Sequence, residues 1–267
     1  MDTLITSLQN PKIKEVVKLK NRRERDASGL FLIEGFRELK RAIDAQREIK
    51  TLFYCPDFFL GKNEESLKNQ CKAALHLACT PEVFQKLSYR DRPDGLIAVA
   101  PQVHLTLSCL KLKKNPFLLV AESIEKPGNL GTILRSCDAA GVDAVIVSDQ
   151  TTDIHNPNVV RSSVGTLFTV PVIEASSEET LQFLKKHKIA VVAATPHAKE
   201  LFTEVNFKLP LAIVVGTEQY GLSDLWMNQK DIAVRIPMFG AADSLNVATA
   251  TTLLLYEVIR QRSALLR

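Results

Sequence analysis

Short apolar runs alternate with amphipathic stretches along almost the whole chain, and the alternation is clearest in its second half. Runs stand at 117–121, 142–147, 189–194, 211–215 and 232–236. Runs this short and this apolar predict strands buried on both faces, the pattern of a parallel sheet covered by helices. The stretches between them carry the helical period. Leu130, Ile133, Leu134, Cys137 and Ala140 form one stripe, Leu181, Phe183 and Leu184 a second, and Val247, Thr251, Leu254, Leu255, Val258 and Ile259 a third. Asn129 is expected to cap the first of these helices and Gly141 to stop it. A further short strand is expected at 169–172.

The first half repeats the alternation on a smaller scale. Strands are expected at 31–33, 52–55, 76–79 and 96–100, with helices from Phe36, over 64–75 and from a Thr80-Pro81 cap to Tyr89. Together they predict a compact α/β domain. Pro101, Pro116 and the lysines at 111, 113 and 114 mark a linker. The expected division is therefore 1–103, a linker over 104–116, and a second domain over 117–267; the 267 residues suffice for two such cores.

The net charge of +4 is modest, but it is unevenly placed. Asn10-Pro11 opens a helix in which Lys12, Lys14, Lys18, Lys20, Arg22, Arg23 and Arg25 face only two acids, Glu15 and Glu24. Ile13, Val16 and Val17 give it a narrow apolar edge. Such a face suits the phosphates of a nucleic acid, although a solvated surface would look the same; with no aromatic interleaved it would follow backbone charge rather than stack bases. The five cysteines are scattered and form no C-x-x-C pair, which fits a reducing cytoplasm and neither a disulfide framework nor a zinc site. No run approaches the roughly 20 apolar residues of a membrane helix, and no signal-peptide core opens the chain.

Glycine-bearing loops follow three separate strands, but none carries G-x-G-x-x-G or G-x-x-x-x-G-K-[ST], so neither a dinucleotide fold nor a P-loop is supported. A ligand would be gripped by several loops at once. Arg135 lies off the apolar stripe of its helix, in the half where the macrodipole disfavours a cation. Alone it is as well explained by solvation as by function. Glu218 sits between Gly216 and Gly221, and Ser244 and Asn246 precede the last helix, where capping alone would account for them.

Taken together, Asn129-x-Gly131-x-x-x-Arg135, Gly216-x-Glu218-x-x-Gly221-Leu222 with Ile236-Pro237, and Ser244-Leu245-Asn246-Val247 with Leu255-Tyr256-Glu257 resemble the SpoU/TrmH family of RNA ribose 2′-O-methyltransferases, within the SPOUT superfamily. Asn10-Pro11 and Phe31-Leu32-Ile33-Glu34-Gly35 resemble the ribosomal-protein-like RNA-binding domain that often precedes it. The resemblance implies a C-terminal SPOUT-type parallel sheet with a trefoil knot, a homodimer, and S-adenosylmethionine as methyl donor, with no metal. It places Gly216, Ile236 and Leu245 on the donor, with Thr195, Glu218, Met238 and Ser244 close by. Arg135 and Asn129 become the catalytic pair, oriented by Glu218 and Asn246, with Ser244 secondary. Arg161, with Asn156 and Ser163, matches a segment between the motifs and becomes an RNA or dimer contact. Lys126 and Ala248 depart from the usual pattern at peripheral positions. The implied substrate is ribosomal RNA; transfer RNA, or a non-catalytic RNA-binding factor of the same fold, would share most of these residues.

Overall fold

A computed structural model of the chain describes residues 3–217 and 219–263. It divides into two compact units: residues up to 103 together with 153–169, and residues 104–152 together with those from 170 onward.

In the first unit β1 (Thr3–Ile5), α1 (Pro11–Lys18) and α2 (Arg22–Ser28) are followed by β2 (Leu30–Glu34), α3 (Phe36–Asp44), β3 (Thr51–Tyr54), α4 (Asn63–Gln70), β4 (Leu75–Cys79), α5 (Pro81–Leu87) and β5 (Leu96–Pro101). The sheet runs β1-β4-β3-β5-β2; β1, β4 and β3 are parallel, and β5 pairs antiparallel with β3 and β2. Ile13 and Val16 of α1 enter its core beside Phe53, Phe84 and Leu87.

The basic stretch is two helices rather than the expected one. Asn10 caps α1 by accepting from the Lys12 amide at 2.9 Å, but the helix ends at Lys18 and the chain restarts at Arg22. A helix end exposes carbonyls that need donors, and Arg25 supplies them: one of its terminal nitrogens donates to the oxygens of Leu19 and Lys20, each at 2.9 Å. Its Nε and other terminal nitrogen donate to Asp153 at 2.8 and 2.6 Å. Arg25 is 1% exposed, so the expected RNA contact is instead an internal clamp. Lys20 is likewise committed. Its ammonium donates to the Lys86 and Ser88 oxygens at the end of α5 and lies over the Tyr89 ring, and burial holds its pKa below the usual lysine value. Lys12, Lys14, Lys18, Arg22 and Arg23 remain exposed, Arg22 beside Asp26.

The second unit contains β6 (Phe117–Glu122), α6 (Pro127–Ala139) and β7 (Ala144–Ser148). The chain then contributes α7 (Pro157–Ser162), packed on β2, to the first unit, so 153–169 departs from the expected second domain. It returns as β8 (Val172–Ala175), α8 (Ser177–Lys186), β9 (Ala190–Ala194), β10 (Glu200–Leu201), β11 (Leu211–Val215), α9 (Asp224–Gln229), β12 (Ile232–Arg235) and α10 (Val247–Ser263). The seven strands are ordered β10-β12-β9-β11-β6-β7-β8 and all pair in parallel. Val120 stands opposite Val214 on one side and Ile146 on the other, which is why these runs carry no polar alternation. The strand expected at 169–172 starts at Val172, preceded by a 3₁₀ turn over Thr166–Phe168. Residues expected as a linker pack here as well: Leu105 pairs with Ile173, and Leu107, Leu110 and Leu112 lie on the core. Because the sheet is parallel, the loops after β6, β9, β11 and β12 open at one edge, where α/β sheets hold ligands.

The Arg25 clamp makes a sharp stability prediction. Arg25→Ala leaves Asp153 buried without its partner and strips donors from two carbonyls, a loss of roughly 3–5 kcal/mol. The denaturant midpoint of the first unit should fall accordingly, whereas Arg23→Ala should leave it within experimental scatter.

Candidate functional site

One cavity of about 560 Å³ lies in the second unit, at the carboxyl edge of the sheet. Thr195 comes from the end of β9, Gly216 from the end of β11, Ile236 and Met238 from the loop after β12, Ser244, Leu245 and Asn246 from the approach to α10, and Asn129 from the first turn of α6. Eight of the residues expected at a site thus share one wall-to-wall space.

Local chemistry explains each placement. Pro127 at the first helical position starts α6 ahead of Asn129, so Lys126, not Asn129, is the N-cap residue. Asn129 is thereby released from capping, and its Oδ1 accepts from Asn246 Nδ2 at 3.1 Å. The same Asn246 caps α10, its Oδ1 accepting the amides of Ala248 at 3.0 Å and Thr249 at 3.4 Å. Gly141 behaves as expected, turning left-handed at φ 65° as the Val142 amide closes back to Cys137. Cys137 itself is fully buried, and burial raises its thiol pKa strongly, so it packs rather than reacts.

The loop after β11 is a tight turn. Thr217 Oγ1 donates to the Gly221 oxygen at 2.9 Å and accepts the Tyr220 amide at 3.1 Å, with Gly221 at φ 73°. Gly216 has a second requirement: a Cβ there would come within 2.5 Å of Leu222 Cδ2 and 2.9 Å of Glu122 Oε2. Glu122 was not singled out in the sequence. It is 2% exposed at the end of β6, and its carboxylate accepts the Ser223 amide at 3.0 Å, fixing the far end of the same loop. A charge closing an otherwise apolar strand run was the available signal. Glu218 lies outside the described residues.

The lining suits an amphipathic ligand: Ile236 and Met238 are half-buried, Leu245 is 36% exposed with its apolar surface uncovered, and Thr195, Ser244 and the two asparagines supply polar edges. Among the described residues no group of His, Cys, Asp or Glu has metal-binding geometry, and no helix is long and apolar enough to cross a membrane.

Arg135 is not one of the residues lining this cavity. It is exposed on α6, with no hydrogen-bond or ion-pair partner among the described residues. Its neighbour Ser136 bonds to Thr252 of α10 at 2.7 Å, and the outer surface of α10 leaves Leu253 and Tyr256 41% and 50% exposed. Arg161 is exposed on α7, in the first unit.

Comparison with known proteins agrees with this geometry. The SpoU rRNA Methylase family matches residues 116–256, and an MRM3-like substrate binding domain matches residues 10–98. A 23S rRNA (uridine(2479)-2′-O)-methyltransferase of Streptomyces viridochromogenes is 31% identical over 251 residues, covering 91% of this chain and 87% of that protein. A crystal structure of an RNA 2′-O ribose methyltransferase superimposes with TM-score 0.87 at 43% identity, covering 98% of this chain and all of that one. The AdoMet-bound rRNA methyltransferase from Sinorhizobium meliloti superimposes with TM-score 0.88 at 29% identity over 97% of each chain. With loops, cavity and match all falling on the same segment, the chain belongs to the SpoU rRNA methylase family.

Proposed function

We propose that this chain transfers the methyl group of S-adenosylmethionine to a ribose 2′-hydroxyl of ribosomal RNA. The observation that carries the reading is the convergence of Thr195, Gly216, Ile236, Leu245 and Asn246, from three loops, on one cavity. Relatives named as 23S rRNA 2′-O-methyltransferases and an AdoMet-bound structural neighbour support it. Ile236, Met238 and Leu245 would hold the adenine face, and loop amides around Gly216 its polar edge. When bound, the donor supplies an electrophilic methyl carbon.

The chain's own residues have two tasks, to align the hydroxyl with that carbon and to stabilise the negative charge that grows on oxygen. Asn129 and Asn246 form the polar wall beside the donor space. Arg135 is the charge stabiliser in this reading. Its guanidinium stays protonated, so it grips the oxygen and an adjacent phosphate rather than accepting the proton. Glu218 and Ser244 complete the set as orienting groups.

Because Arg135 does not line its own chain's cavity, this reading assigns it to the cavity of a second copy. The exposed Leu253 and Tyr256 stripe on α10, which packs on α6, supports a homodimer in which Arg135 serves the partner's cavity. The trefoil knot belongs to the same reading, supported by the seven-stranded parallel order and by α10 packing on α6.

Two outcomes follow. Arg135→Ala should lower ribose methylation of rRNA by roughly 10² or more, measured by nucleoside mass spectrometry, with tRNA as the comparison substrate. Equal methylation by both proteins would remove Arg135 from the chemistry. In addition, co-expressing Arg135→Ala with Leu245→Asp should restore about a quarter of wild-type activity, because random pairing makes half the dimers mixed and each holds one intact cavity–arginine pair. No recovery would place Arg135 in its own chain's site.

A further inference from the structure

A second cavity, of about 670 Å³, lies wholly within the first unit, between the start of α3, the loop joining α5 to β5, and the end of α7. Three exposed arginines line it, one from each element: Arg37, Arg92 and Arg161. None of the three guanidiniums makes a hydrogen bond or ion pair among the described residues. That contrasts with Arg90 in the same cavity and with Arg25 and Arg262 elsewhere, whose guanidiniums are spent on carbonyls and carboxylates.

The acids nearby do not neutralise the three. Glu38 and Asp94 hold Arg90, at 2.7 and 3.7 Å, and Asp94 also accepts the Phe36 amide at 2.7 Å. Glu64 is buried and accepts the Gly61 amide. Asp91 is the exposed acid of the lining, which leaves the open surface positive. Gly35 is part of this construction: its φ of 112° is one that side-chain-bearing residues rarely adopt, and a Cβ there would come within 2.3 Å of the Arg90 guanidinium. The Arg90 Nε and one Asp94 oxygen are buried in it without a hydrogen-bond partner. Arg37 is also badly placed for stability, since it stands in the first turn of α3 where the dipole favours an acid. Three unpaired forks around one concavity, one of them held against the helix dipole, have the chemistry of a phosphodiester site.

We propose that Arg37, Arg92 and Arg161 bind backbone phosphates of the substrate RNA in this cavity, with Leu60, 83% exposed at its edge, as an apolar contact for a neighbouring ribose or base. The proposal rests on the RNA methyltransferase reading and names a part of the substrate surface separate from the α1 lysines.

The test is fluorescence anisotropy of a short labelled single-stranded RNA against the full chain over a series of KCl concentrations. Removing three phosphate contacts, by Arg37→Ala, Arg92→Ala and Arg161→Ala together, should flatten the slope of log affinity against log salt by about 2. Lysine at the same three positions should restore most of the slope, because counterion release counts charges. An unchanged slope in the alanine variant, or a wild-type chain that does not hold the RNA, would overturn the proposal. S-adenosylmethionine binding, followed by calorimetry in parallel, should be identical in wild type and variant. Loss of donor binding in the wild type would defeat the functional reading instead, so the two failures are distinguishable.

Discussion

A single side chain, Asn246, ties two walls of the cavity together. Its carboxamide oxygen caps the last helix and its nitrogen reaches the first turn of α6, joining segments 117 residues apart in sequence. A capping bond contributes about 1 kcal/mol. Here the capped end is also a wall of the cavity, so the same bond that starts α10 sets where Leu245 and Ser244 present themselves. Glu122 does the corresponding work beneath the loop after β11, where a buried carboxylate is satisfied by the Ser223 amide. The site is therefore built on rigid strand ends, with its loops fixed from behind.

The first unit shows how charge divides between scaffold and surface. Arg25 and Lys20 belong to a run of seven basic residues, yet each is spent on helix-end carbonyls. Their neighbours Lys12, Lys14 and Lys18 stay in solvent on the same helix pair. Burying an arginine is tolerable only when its donors are matched, and Arg25 meets this with two carbonyls and a carboxylate. Arg37, Arg92 and Arg161 are the opposite case, their guanidiniums matched to nothing among the described residues.

The parallel sheet was legible in the sequence because its central strands are buried on both faces, and β6, β9 and β11 are short uniform apolar runs. Elements that escaped are those whose reason for existing is tertiary. β1 has three residues and β10 two, each stabilised by pairing on one side. The break after α1 depends on Arg25 meeting Asp153, 128 residues away, which no local pattern reveals. Asn129 was expected as a cap because asparagine favours that role, but Pro127 opens the helix three residues sooner. Six of the lining residues were legible because three loop motifs follow three strands. Glu122 was hidden by the apolar run it ends.

These loops form one cavity, tied across by the Asn129–Asn246 bond. Titrating S-adenosylmethionine into the purified chain by calorimetry tests directly whether it takes the donor, with Asn246→Ala alongside. Saturable binding at one donor per chain is expected, weakened about tenfold in the variant, as for a loss of about 1.4 kcal/mol. A wild-type chain that takes up no donor, or a variant that binds it as tightly as wild type, would show that this cavity is not a donor site held by Asn246.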